Sequence, residues 1–145
     1  MQTRLTAKCA NKYTTVKLAT HFAPIQLSVS IPGRAEAAIH ALRRYAKHLP
    51  KDYIIIKPDF TNAFNTLRRD AMLEAVGREI PELHNFAHAT CTGAPVLQFG
   101  EFTILSEEGP QQGDPLSSAE FCLTIHPLLR SLLSDLKRVI LTTSH

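Results

Sequence analysis

Leu5, Cys9, Tyr13 and Val16 return at helical spacing, so residues 3–20 read as a first helix, with Arg4, Lys8, Lys12 and Lys17 on an opposite, solvated face. Between His21 and Arg34, two prolines and a glycine exclude a regular helix. Within that stretch Leu27, Val29 and Ile31 alternate with Ser28 and Ser30, as a short strand would. Ala35, Ala38, Leu42, Tyr45 and Leu49 mark a second amphipathic helix, ended by Pro50, with Arg43, Arg44 and Lys47 crowding its polar face. The β-branched run Tyr53-Ile54-Ile55-Ile56 then predicts a buried strand. Leu67, Met72, Leu73 and Val76 continue as a helix that Gly77 or Pro81 ends, and Pro81 suits the first turn of another helix reaching about Thr92. Val96–Phe99 and Phe102–Leu105 flank Gly100-Glu101 as a two-residue hairpin would. A polar loop over 107–115 comes next, in which Asp114 can cap and Pro115 can open the next helix. That helix is long, with an apolar stripe of Cys122, Ile125, Leu129, Leu132 and Leu136 and a kink expected at Pro127. Val139 to Thr143 reads as the start of a strand.

Composition narrows the class. The 145 residues suffice for one modest domain, and 44% hydrophobic with 20% charged residues is a globular balance. No internal repeat or low-complexity linker marks a domain boundary. A net charge of +3 suits a nucleic-acid partner without requiring one. No run approaches the roughly 18–20 apolar residues that span a bilayer, and Met1-Gln2-Thr3-Arg4 is not followed by the apolar core of a signal peptide. Cys9, Cys91 and Cys122 are odd in number and widely spaced, which reads as reduced, partly buried thiols of an intracellular protein.

Two groups of residues could carry chemistry. Alternation along the Tyr53–Ile56 strand puts Ile55, Lys57 and Asp59 on one face and Ile54, Ile56 and Phe60 on the other. Asp59 would then be a carboxylate at the rim of a sheet, or a cap for the next helix; both readings stand on these residues alone. His84, His88 and Cys91 share a helix face at i, i+4 and i+7, a spacing able to supply three zinc ligands. No fourth ligand is apparent, and ordinary helix packing is the favoured reading.

Three stretches together resemble the reverse transcriptase domain of non-LTR (LINE-like) retrotransposons. Lys57-Pro58-Asp59-Phe60-Thr61-Asn62-Ala63-Phe64-Asn65 is similar to the family's first palm motif, Lys-x-Asp-Phe-x-x-Ala-Phe-Asn. Gly109-Pro110-Gln111-Gln112-Gly113-Asp114-Pro115-Leu116-Ser117 is similar to the second, Gly-x-x-Gln-Gly-x-Pro-Leu-Ser. Gln26 to Gly33 echoes the fingers motif Gln-x-Gly-Phe-x-x-Gly. The resemblance implies an α+β fold: a right-hand polymerase fragment, fingers-like over 1–50 and palm-like over 51–145, with helices packed on a small, incomplete antiparallel sheet. It implies RNA-directed DNA polymerisation by two-metal phosphoryl transfer, with an RNA template, a DNA primer and dNTP as partners, Mg²⁺ as cofactor and a nuclear or cytoplasmic setting. Asp59 would be the catalytic metal ligand, joined by the Phe60 carbonyl. Phe64 would lie against the incoming sugar, where a flat ring excludes a 2′-hydroxyl. Gln112 would run along the nucleotide, and Gly113 would let the backbone approach it. Lys57, Arg68, Arg69, Arg43 and Arg44 are weaker candidates for nucleic-acid contacts.

The departures from the family pattern have consequences. The family's aromatic-x-Asp-Asp hairpin is not among these residues, so two cations would lack most of their charge compensation. Pro58 removes a ladder donor beside Asp59, Pro110 replaces an aliphatic residue, and Ser28 replaces a glycine. The expectation is therefore a fragment inactive by itself, with an unpaired apolar edge at Tyr53–Ile56 that promotes self-association. A non-catalytic nucleic-acid-binding remnant and a small helical metal or interaction module are the alternatives.

Overall fold

A computed structural model describes residues 2–27, 33–51, 53–92, 96–111 and 113–142. Five helices and one hairpin run in the order α1 (Gln2–Phe22), α2 (Arg34–Lys47), α3 (Arg69–Glu79), α4 (Pro81–Cys91), β1 (Val96–Phe99), β2 (Phe102–Leu105) and α5 (Ser117–Thr142). The chain is thus α+β, with a two-stranded antiparallel sheet.

The core is helix on helix. Leu18 and Phe22 of α1, Ala75 and Val76 of α3, Ala87 of α4, and Ala119, Cys122 and Leu123 of α5 form one buried cluster, with Ile80 at the α3–α4 corner. Pro81 stands in the first turn of α4, where its missing N–H costs nothing. α1 thus shares one core with α3, α4 and α5.

Four expectations need correction. The first concerns α1, which buries Ala7, Thr14, Leu18 and Phe22, while Leu5, Cys9, Tyr13 and Val16 face out, Val16 at 77% exposure. Small Ala7 and Thr14 admit close packing, and the Thr14 hydroxyl is satisfied locally by donating to the Ala10 carbonyl, so burying it leaves no orphan.

Second, residues 53–60 form no strand: Ile54 is 81% and Ile56 67% exposed. β-propensity needs a partner ladder, and none lies beside this run among the described residues; its Tyr53 N–H instead donates to the Pro50 carbonyl. Third, the helices do not pack on the sheet. β1 and β2 pair with each other, Val96 opposite Leu105 and Phe99 opposite Phe102, yet every residue of both strands is exposed.

Fourth, residues 139–142 continue α5 rather than starting a strand. The expected α5 stripe is buried at Cys122, but Leu132 and Leu136 emerge into solvent as the helix passes the end of the core. The strand expected over Leu27–Ile31 lies, but for Leu27, outside the described residues, as does Thr143.

α2 does form, yet Ile39, Leu42 and Tyr45 on its apolar face remain half or more exposed. The hairpin register is the expected one, with Gly100 at φ 62° in the turn. All three cysteines are free: Cys9 is exposed, Cys91 and Cys122 are buried. Burial pushes the Cys122 thiol up to about 11.

Candidate functional site

The segments over 57–67 and 109–117 meet. The turn over 61–66 closes through Asn65 N–H and Thr66 N–H, both donating to the Asn62 carbonyl, with Asn62 in the left-handed region at φ 54°. Asn tolerates that conformation better than most side chains. The chain then runs past the second segment, where the Gly109 N–H donates to the Leu67 carbonyl at 2.8 Å. The approach is so close that a Cβ on Gly109 would lie 2.3 Å from the Phe64 carbonyl oxygen, and Gly109 also holds φ 70°. Only glycine satisfies both conditions.

Phe64 is 43% exposed and stacks on Phe121 of α5, ring centroids 4.7 Å apart at 26°; Phe60 meets the same ring edge-on at 6.4 Å. Phe121 thereby anchors the first segment to the helix that the second segment opens. Between them lies an open hollow of about 410 Å³, lined by Phe64, Pro110, Gln111, Gly113, Asp114, Ser117 and Ser118. Its floor is braced at the start of α5. Asp114 Oδ1 accepts from the Leu116 N–H at 2.9 Å, and Ser117 Oγ donates to the Gln111 carbonyl at 3.0 Å. Asp114 thus caps the entry to α5 as expected.

Of the expected site residues, Phe64 and Gly113 share this hollow. Gln112 lies outside the described residues. Asp59 is exposed, its Oδ1 accepting the Phe60 N–H at 3.0 Å, and neither it nor Lys57 lines the hollow. Arg43 and Arg44 are exposed on α2, and Arg68 is paired with Asp70.

Arg69 has a different place. Its Nε donates to the Gly109 carbonyl at 2.9 Å, Nη1 to the Cys91 carbonyl at 3.4 Å and Nη2 to Ser106 Oγ at 3.2 Å. One planar guanidinium therefore ties the second segment, the end of α4 and the exit of the hairpin together. Arg4, expected on a solvated face, has its Nη2 3.6 Å from where a Gly113 Cβ would sit, beside the hollow. No local pattern in the sequence distinguishes these two arginines from the other cations.

One buried acid lies a turn into α5. Glu120 is 5% exposed, and burial, with the Asp114 carboxylate adding, pushes it up to about 7. Its neighbours include Thr14, Val76, Leu83, Ala87 and Leu123, and its carboxyl has no hydrogen-bond donor among the described residues.

The fit of a metal can be judged from these donors. Among the described residues no three His, Cys, Asp or Glu side chains stand where they could hold a metal ion. Asp59 alone does not fit a centre for two Mg²⁺ ions, which needs several carboxylate oxygens. On α4 the His84 and His88 rings are 6.1 Å apart, and His84 packs on Gly77. Burial raises the Cys91 thiol, which opposes the thiolate that zinc requires. No helix among the described residues is long and apolar enough to cross a membrane.

No protein-family model, curated protein or solved structure matches the chain.

Proposed function

We propose that this chain is a fingers–palm portion of a reverse transcriptase of the non-LTR retrotransposon type, which binds a nucleotide and nucleic acid but does not polymerise by itself. The observation that carries the reading is the junction of the two palm-like segments. Residues far apart in sequence are held together by the Gly109–Leu67 hydrogen bond, the close Gly109–Phe64 approach and the Arg69 clamp. Both segments then line one hollow.

In this reading Phe64 lies against the sugar and the Gly113 backbone approaches the nucleotide. Arg4 supplies positive charge for its phosphates, and by the resemblance Gln112 would be the residue along the nucleotide. Magnesium belongs to the intact domain, where Asp59 and the Phe60 carbonyl would join further acids. RNA template and DNA primer are the macromolecular partners.

The test is twofold. Equilibrium binding of a dNTP should be saturable and should weaken about fivefold in Phe64→Ala, the worth of one aromatic stacking contact. Mg²⁺-dependent primer extension on an RNA template should be absent. Extension that Asp59→Ala abolishes would refute the claim of inactivity. No dNTP binding, together with nucleic-acid binding that falls steeply with salt and ignores Phe64, would favour a purely electrostatic remnant instead. The coding sequence after His145 provides a check on the family: an in-frame aromatic-x-Asp-Asp supports it.

A further inference from the structure

A second hollow, of about 360 Å³, opens on another part of the molecule, between the end of α1, the end of α3 and the middle of α5. It is lined by His21, Arg78, Glu79, His126 and Arg130, with Leu123 and Pro127. Its hydrogen-bond accounting is one-sided. Glu79 is its only carboxylate among the described residues, and both oxygens are engaged: Oε1 accepts from Arg78 Nε at 2.9 Å, and Oε2 faces His21 Nδ1 at 3.4 Å.

The His126 tautomer can be assigned from its neighbours. Gln26 Nε2 lies 2.7 Å from the Cys122 carbonyl, which can only accept, so this atom is the amide nitrogen. The same nitrogen lies 2.9 Å from His126 Nδ1, which must therefore accept as well. The His126 ring proton is then on Nε2. The rings are held in place: His126 lies 4.6 Å from His21 and 5.6 Å from Phe22, centroid to centroid.

What remains is a set of donors without acceptors among the described residues. These are His126 Nε2–H, the terminal nitrogens of Arg78, and the guanidinium of Arg130, one helical turn beyond His126 on α5. Helix ends attract cations, which accounts for His21 and Arg78 in the last turns of α1 and α3. It does not account for His126 and Arg130, which stand inside α5.

We propose that this hollow is an oxyanion site that takes a phosphate group, gripped by Arg78 and Arg130 with His126 Nε2–H as the third donor. Planar guanidinium forks match phosphate oxygens, and a single engaged carboxylate leaves the hollow net positive. The site does not depend on the polymerase reading. Its phosphate could come from a nucleic-acid backbone or from a free phosphate ion.

The experiment tracks the imidazole signals of His21 and His126 by NMR during titration with inorganic phosphate, and separately with a short single-stranded RNA. Saturable shifts with phosphate are expected, weakened about tenfold in Arg130→Gln, the loss of one charge-assisted contact. Arg130 is exposed, so the variant should keep its far-UV circular dichroism; Arg78→Gln provides a second reading. RNA moving the same signals in competition with phosphate identifies backbone phosphate as the ligand, and phosphate alone moving them identifies the free ion. Absence of saturable shifts, or shifts undiminished in both variants, overturns the proposal.

Discussion

Glu120→Gln should stabilise the protein at neutral pH and flatten its pH dependence. The folded chain holds the Glu120 carboxyl at about 7, against an ordinary value of 4.5. A folded value above the unfolded one means that the folded state binds the proton more tightly, so stability is present at low pH and lost as pH rises. Below pH 4.5 the group is protonated in both states and contributes no difference. From 4.5 to 7 the unfolded chain ionises while the folded one does not, and stability falls. Above 7 the loss is complete. A gap of about 2.5 pH units at about 1.4 kcal/mol each gives about 3 kcal/mol. Glutamine stays neutral throughout and is nearly isosteric, so the two proteins should be alike near pH 4.5 and differ by up to about 3 kcal/mol at pH 7.5. Glu79, Asp70 and Glu82 are shifted in the opposite direction, by Arg78, Arg68 and Lys17 respectively, and act at lower pH in both proteins. The difference between variants therefore isolates Glu120. Urea unfolding followed by far-UV circular dichroism from pH 4.5 to 8 measures it, provided the m-values agree. A constant difference over that range, or a variant less stable at pH 7.5, would mean that the carboxyl is solvated or paired and would refute the burial argument.

Gly109→Ala should lose about 3 kcal/mol or more, since a Cβ there meets the Phe64 carbonyl at 2.3 Å and the backbone sits at positive φ; thermal unfolding reads it, and an unchanged midpoint would deny the close approach. Arg69→Met should cost about 2–3 kcal/mol by stripping donors from Gly109, Cys91 and Ser106, and Arg69→Lys should recover little, because one ammonium cannot serve three separated acceptors. Full recovery by lysine, in the same unfolding assay, would show that charge alone matters. Phe121→Ala removes the ring contacts to Phe60 and Phe64, about 1 kcal/mol each, and should accelerate amide exchange over residues 57–66. Exchange unchanged in that segment would mean that the rings do not hold it.

The helices were legible because their signals are local. Pro81 opening α4, Asp114 before α5 and Gly100 in the hairpin turn each act within a few residues, and each stands where the pattern places it. The faces were less legible. Tyr13 and Val16 look like core residues, but Tyr13 lies exposed with its hydroxyl donating to Glu82 at 2.9 Å, while Ala7 and Thr14, inconspicuous in sequence, are buried. Burial depends on which surfaces can come close, and small residues permit it without advertising it. The run Tyr53–Ile56 failed as a strand for a related reason: a strand is a property of two segments, and the pattern of one cannot supply its partner.

The same distinction separates what was legible of the candidate site from what was not. Phe64 and Gly113, which line the first hollow, were singled out only by resemblance to the family's motifs; their spacing alone left Phe64 equally readable as a core ring. The cations could not. Arg68, Arg69, Arg78 and Arg130 have the same chemistry, yet Arg68 pairs with its own neighbour Asp70, Arg69 spans three segments, and Arg78 engages Glu79 through Nε with its other nitrogens left over. A guanidinium has only donors, so its role is fixed by the acceptors the fold brings to it. Where the fold brings acceptors to the donors, as at Arg69, the cation is structural and its loss should appear in stability. Where the described residues supply more donors than acceptors, as around His126 and Arg130, the proposed phosphate would supply the balance, and the loss of a donor should appear in binding.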